Sequence, residues 1–501
     1  MKALRLLIWG VLVSVSTLAL RAQETNQAAQ VEQLQQQLRQ LRDQFEEVQR
    51  QQRQQIEALQ RQVQALQARP PAQPAAPPTL TTPPPSAEPA APAPSTSPPS
   101  APELKPGWSP ASPITLLGGQ RNYLNLSFDA LFAAGGSTAD DIPELELGGH
   151  DPVQNGFTAQ NLEVVFEGNV DPYFRGQASL VGHMAADGDF HFEAEEAYLE
   201  TIALPARLQV KAGQFLTEFG RINPTHPHTW SFADVPLVAG RFLGPEGLRN
   251  PGARLSWMLP TPFYSELYLA VQNSQGGTAY SFRGAEHGHE GEDRDFIFGR
   301  ERLDRDTETF GDMLFAPRYA VSFDLTDNQT LLAGASAAFG PNNTGTDTDT
   351  QIYGVDFTWK WKSPRHHAGF PFVAWQTEVM ARRFEAGAYT GDEDDDGVPD
   401  VNLPRETLWD YGLYSQLTWG FRKGWVAGIR GDWVSGNPGA YDPDPDRDTR
   451  WRLSPNLSWY PTEFSKLRLQ YNYDDRKNVG VDHSVWLQFE FLLGSHAAHK
   501  F

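Results

Sequence analysis

From residue 114 onward, apolar and polar residues alternate with a period of two in segments of about ten residues, the pattern of half-buried strands. In 122–132, Leu124, Leu126, Phe128, Ala130 and Phe132 share one face, and Asn125, Ser127 and Asp129 the other. In 351–361 the apolar face is Tyr353, Val355, Phe357, Trp359 and Trp361, opposite Asp356, Thr358 and Lys360. In 409–421 it is Trp409, Tyr411, Leu413, Leu417, Trp419 and Phe421, and in 485–493 it is Val485, Leu487, Phe489, Phe491 and Leu493. About sixteen such segments follow one another, centred near residues 127, 163, 178, 196, 211, 256, 269, 319, 335, 356, 378, 414, 430, 455, 470 and 488. After even-numbered segments come tight turns such as Asn169-Val-Asp-Pro172, Leu204-Pro205-Ala206, Pro260-Thr-Pro262, Thr326-Asp-Asn328, Arg422-Lys-Gly424 and Tyr460-Pro-Thr462. After odd-numbered ones come mostly longer polar stretches, notably 216–250, 274–312, 385–406 and 435–449.

Short connections on one side and long ones on the other predict an all-β transmembrane barrel of about sixteen antiparallel strands, with the short turns and both ends of the barrel facing the periplasm. A water-soluble β-sandwich would also alternate, but it gives no reason for Trp and Tyr to gather at strand ends, where a barrel uses them as interfacial girdles. Aromatics make up 12% of the chain, with 14 Trp and 29 Phe. Outside the first 22 residues no run of some 18 apolar residues occurs, which excludes helical membrane spans. It does not exclude a barrel, which spreads its apolar residues over alternate positions.

The N-terminal 113 residues follow other patterns. Met1-Lys-Ala-Leu-Arg5 and the apolar stretch 6–20 read as an export signal, 1–22, cut after Ala22. Residues 23–69 read as an α-helical coiled coil, because Val31, Leu34, Leu38, Leu41, Phe45, Val48, Ile56, Leu59, Val63 and Leu66 recur at three- and four-residue spacings. Gln52 sits in the seam, and the step from Val48 to Ile56 resembles an eleven-residue stutter. Residues 70–113, rich in Pro, Ala and Ser, cannot bury a core and read as a disordered tether. At about 3 Å per residue its roughly 44 residues reach on the order of 130 Å. The barrel occupies 114–501. The chain has no cysteine, so disulfides and thiolate chemistry are excluded. Its formal charge of −21 argues against nucleic-acid binding.

The segment Val210-Lys-Ala-Gly-Gln-Phe-Leu-Thr-Glu-Phe-Gly220 resembles the Gly-Gln-Phe…Phe-Gly hallmark of the phosphate-selective porin family, the O and P porins. Glu195-Glu-Ala-Tyr-Leu199, one hairpin upstream, resembles the same family's preceding strand. The resemblance implies a trimeric sixteen-stranded porin in the outer membrane, with lipid and the barrel-assembly machinery as partners, the latter reading the terminal Phe501. It carries no substrate, and the stretch 223–230, Asn-Pro-Thr-His-Pro-His-Thr-Trp, departs from the family's pattern. The residues 496–500 do not alternate, which predicts a last strand ending near Leu493.

The fifth connection, 216–250, is long enough to fold into the lumen and set a constriction through Arg221, His226, His228, Asp234, Arg241, Glu246 and Arg249. Alternation points Arg430, Arg450, Arg452 and Arg468 inward from late strands and Asp129, Glu163 and Glu167 inward from early ones, opposed signs that would create a transverse field for small hydrophilic or anionic, phosphate-like solutes. The pairs His226/His228 and His287/His289, with carboxylates nearby, are candidate zinc ligands. Asp392, Asp394 and Asp396 followed by Gly397, with Asp400 beyond, have the spacing of a calcium-wrapping turn. No nucleophile elbow, His-Glu-X-X-His or phosphate-cradling glycine loop is present, so no enzymatic activity is expected. Two further readings, a metal-uptake protein and an envelope-tethering structural protein, differ from a channel in lacking liposome conductance.

Overall fold

The computed structural model describes residues 113–118, 122–185, 188–284, 296–303, 305, 307–391 and 401–494. The export signal, coiled coil and nearly all of the tether, the Asp392–Asp400 turn, His287/His289 and Phe501 lie outside the described residues.

Sixteen strands form the barrel: β1 (Tyr123–Ser137), β2 (Gly156–Asn169), β3 (Phe174–Met184), β4 (Phe190–Thr201), β5 (Leu208–Leu216), β6 (Arg249–Met258), β7 (Tyr264–Asn273), β8 (Met313–Thr326), β9 (Gln329–Pro341), β10 (Asp349–His367), β11 (Phe370–Ala386), β12 (Glu406–Arg422), β13 (Trp425–Gly436), β14 (Arg450–Thr462), β15 (Ser465–Arg476) and β16 (Gly480–Leu493). Each segment centre read from the alternation falls inside one of them. Every strand pairs antiparallel with its sequence neighbour, and β1 closes the ring on β16 from Phe128↔Leu493 to Ser137↔Ser484. The last strand ends at Leu493, where the alternation stops.

Because β1 starts five residues before that seam, its residues 123–127 have no partner on β16. A short additional strand, Ile114–Gly118, pairs with this edge from Ile114↔Leu126 to Gly118↔Tyr123, covering backbone groups that would otherwise lack partners in an apolar medium. Among the described residues no helix is long and apolar enough to cross a membrane.

The burial pattern separates barrel from sandwich. Outward positions are apolar and open, with Leu469 and Trp419 each 52% exposed, while inward positions are polar and covered, with Arg452 and Asp474 at 1%. A water-soluble sheet protein would bury the leucines and expose the charges. Aromatics ring the outer surface at both ends: Trp257, Tyr264, Trp419, Trp459 and Tyr460 near the short turns, and Phe192, Tyr411, Trp433 and Trp451 near the long connections.

Candidate functional site

The polar interior is filled from within. After β5 the chain turns inward at 217–248, and the Gly-Gln-Phe…Phe-Gly residues explain the turn. Gly213 has a φ of +133°, and a Cβ there would lie 2.2 Å from the Ala197 carbonyl oxygen, so only glycine fits opposite Tyr198. Phe215 and Phe219 are fully buried, and Gly220, with a φ of +61°, brings the backbone against the wall. There the Gly220 N–H donates to Ser336 Oγ of β9 at 3.0 Å, while the Arg221 and Ile222 N–H groups donate to the two oxygens of Glu378 on β11 at 2.9 and 2.8 Å. Tyr414 of β12 donates its hydroxyl to the same Glu378 carboxyl at 2.5 Å.

The middle of the loop meets β13, β14 and β15. Asp234, 1% exposed, accepts from Arg430 at 3.0 Å and Arg452 at 2.5 Å, and from Gln470 at 2.7 Å. The Ala233 N–H donates to Gln470 at 2.8 Å, Asn456 donates to the Ser231 carbonyl at 2.8 Å, and Arg468 donates to the carbonyls of Phe232 and Trp230 at 2.8 and 2.7 Å. Burial opposes ionisation of Asp234, but the charges of Arg430 and Arg452 outweigh it and hold its carboxyl below the usual range. A helix, α2 (Leu237–Leu243), follows with every residue buried. It packs with Phe215, Phe219 and Ile222 against Ile352, Met380, Tyr414 and Val434, an apolar core inside the lumen.

The first long connection adds a second piece. Its short helix α1 (Ile142–Leu145), capped by Asp141, delivers the Leu145 carbonyl to Arg450 and Arg452 and Glu146 to Arg452 at 2.6 Å. Thus each inward arginine ends on acidic or carbonyl groups: Arg430 also on Asp432 at 2.7 Å, and Arg450 and Arg452 also on Asp474 at 2.8 and 2.5 Å. Arg241 donates to the carbonyl of Asp448 at 2.7 Å, and burial beside Arg450 lowers its guanidinium to about 10. Arg249, at the start of β6, donates to Glu193 at 2.8 Å.

On the wall of β1–β4 the histidines gather. His226 Nδ1 lies 2.7 Å from Glu195 and 3.4 Å from Glu163, and its Nε2 is 3.2 Å from Glu196. His228 Nδ1 is 3.1 Å from the other oxygen of Glu163, and Asp129 adjoins them both. Burial favours neutral rings here, but the facing carboxylates outweigh it and raise both imidazoles, His226 well above its ordinary range. Nearby, His150 Nδ1 faces the Gln160 carbonyl at 2.8 Å and its Nε2 faces Glu246 at 3.3 Å, with the His183 ring 5.1 Å away. Burial is again overcome, by Glu246, and His150 is pushed up to about 9.

The site residues expected from sequence therefore gather at three places around one loop: Arg221 at β11, Asp234 with Arg430, Arg450, Arg452 and Arg468 at β13 to β15, and His226 and His228 with Asp129 and Glu163 at β1 and β2. Glu167 keeps the inward register of Glu163 but is only half-buried. Sequence reasoning passed over Glu195 and Glu196, because alternation should put neighbours on opposite faces. A bulge opposite Ser179 and Leu180 turns both inward, to 4% and 5% exposure. It also passed over Asp432 and Asp474, which alternation could have found, and Glu146, which lies in a connection with no periodic signal.

Fold and interior together define a class: a sixteen-stranded barrel with an apolar exterior and a lumen spanned by its own fifth connection. No protein-family model matches the chain. An uncharacterized protein of Aquifex aeolicus (strain VF5) is 32% identical over 412 residues, covering 75% of this chain and 79% of that one, and the chain belongs to the same family as this protein. Among solved structures, the outer-membrane channel DcaP of Acinetobacter baumannii is similar at 12% identity with a TM-score of 0.45, over 76% of this chain and all of that one (100%). The anion-selective porin from Comamonas acidovorans is similar at 8% identity and a TM-score of 0.40, over 74% and 100% of the two chains. Outer-membrane expressed OmpT of Vibrio cholerae is similar at 9% and 0.43, over 75% and 99%.

Proposed function

We propose that this protein is an outer-membrane channel for passive diffusion of small hydrophilic solutes, and that loop 217–248 sets its aperture. The observation that carries this reading is the loop's attachment by polar groups to β11 on one side and to β2 and β4 on the other, inside a barrel whose outer face is apolar. An apolar girdled exterior suits lipid, and a charged, hydrogen-bonded interior suits water and polar solutes. A ladder of open arginines for phosphate-like solutes finds no support, because Arg430, Arg450, Arg452 and Arg468 are each held by carboxylates or carbonyls. Residues 1–22 then direct export, and 23–69 form a periplasmic coiled coil on the tether 70–113 that joins three copies into a homotrimer. In support, both ends of the barrel, Tyr123 and Leu493, lie at the short-turn rim. An aspartate turn at Asp392, Asp394, Asp396 and Asp400 is an extracellular calcium site in the same reading.

Planar-bilayer recording tests the proposal. Deleting 225–235 is expected to raise single-channel conductance, and Asp234→Ala to do so to a lesser extent, since it leaves Arg430 and Arg452 buried with a charge partner missing, a loss that costs about 3–5 kcal/mol in comparable sites. Wild-type protein that inserts but carries no current, with the deletion equally silent, would sink the channel reading.

A further inference from the structure

The histidine cluster does more than the channel reading asks of it. Asp129, Glu163, Glu195 and Glu196 converge on His226 and His228, all on inward faces, with Asp129 at 0% exposure and Glu163 at 1%. The two imidazoles thus face four carboxyl groups. Around the cluster, Lys466 pairs with Glu490, Arg249 pairs with Glu193, and Lys211 lies over the Tyr198 ring at 3.9 Å. Moreover, Asp129 Oδ2 is buried and receives no hydrogen bond.

The geometry is that of a ligand set. His226, Glu163 and Glu195 bring one donor atom each within 4.8 Å of one another, and so do His228, Glu163 and Asp129. The Glu163–imidazole separations of 3.4 and 3.1 Å approach the roughly 3.3 Å between ligands of a tetrahedral ion with bonds near 2.0 Å. Each Glu163 oxygen faces a different ring, and the rings stack 5.7 Å apart at 18°, a spacing set by the turn that Pro227 begins between them. Glu196 sits on the far side of His226, on Nε2, and is itself fixed by the Leu216 N–H at 3.0 Å. A carboxylate behind an imidazole fixes the Nε2–H tautomer and leaves the Nδ1 lone pair for a metal.

We propose that Asp129, Glu163, Glu195, His226 and His228 bind a divalent transition-metal cation of the zinc type, with Glu163 shared between the two histidines and Glu196 positioning His226. The mixture of imidazole and carboxylate favours Zn²⁺, Co²⁺ or Ni²⁺ over Ca²⁺ or Mg²⁺. A bound ion joins loop 217–248 to β1, β2 and β4 on the wall away from Glu378. The proposal does not depend on the channel reading.

Full-length protein purified in detergent, carrying His287→Gln and His289→Gln to silence that pair, is stripped with chelator and titrated with Co²⁺, reading its visible absorption. Binding of one or two equivalents is expected. His226→Gln or His228→Gln should remove part of the signal, Glu163→Gln all of it, and Glu196→Gln should weaken binding by about tenfold. The exposed pair His366→Gln, His367→Gln should change nothing. Absorption that survives Glu163→Gln in a folded, heat-modifiable barrel overturns the proposal. Should that variant fail to assemble, zinc-edge X-ray absorption on the same His287→Gln, His289→Gln protein decides: imidazole in the first shell supports the site, and a shell of oxygen alone overturns it.

Discussion

His150 illustrates how one residue can be read for pH behaviour. Its imidazole joins the first long connection to the infolded loop through Glu246, with His183 and Glu195 the other titratable groups close by and Gln160 holding the opposite ring nitrogen. The folded-state value, about 9, stands above the ordinary 6.5, so the protonated ring stabilises the fold. That contribution is fully present below pH 6.5 and is lost as pH rises through 9. The shift corresponds to on the order of 3 kcal/mol. Raising the pH from 7 to 10 should therefore lower the unfolding temperature of wild-type protein more than that of His150→Asn. Parallel pH profiles for the two would show that the pair contributes nothing. Composition could not have singled out this histidine, because its partner lies 96 positions away on another connection.

Among the elements, α2 depends on a gap left for it in the wall. Gly412 of β12 faces the helix, and a Cβ at that position would lie 2.5 Å from Val238 Cγ2 and 2.8 Å from Val434 Cγ1. Gly412→Leu should displace α2 at a cost of about 1–3 kcal/mol, the range for overpacked cores, and lower the unfolding temperature. Retention of the wild-type temperature would mean that the helix is not seated there. The strands themselves were legible in the sequence because a wall wet on one side and greasy on the other writes its period of two into every segment. Glu195 and Glu196 were not, since a bulge breaks that period at the one place where chemistry gathers. Nor could the chain by itself say that Leu237, Val238 and Phe242 form a core inside a polar lumen, because a short, mostly apolar stretch between two strands reads equally well as part of a wall. The pairing of Arg430 with Asp432 lay within reach, as a two-residue step on one inward face, whereas that of Arg452 with Glu146 did not.

For the molecule as a whole, connection length orients the barrel. On one rim the connections are as short as the two residues 327–328, while on the other they reach 274–312. Protease added to intact cells should cut within 274–312 or 387–405 and leave 327–328 untouched, and cleavage at the latter site would invert the orientation. The crossing loop has a different consequence, one of timing. It bonds to β2 and β4, made before it, and to β9, β11, β13, β14 and β15, made after it. Its ties to the late strands cannot form until those strands lie beside it. The loop therefore reaches its final seat only once strands as late as β15 are present. What occupies the middle of the finished barrel is thus completed by the same strands that complete its wall.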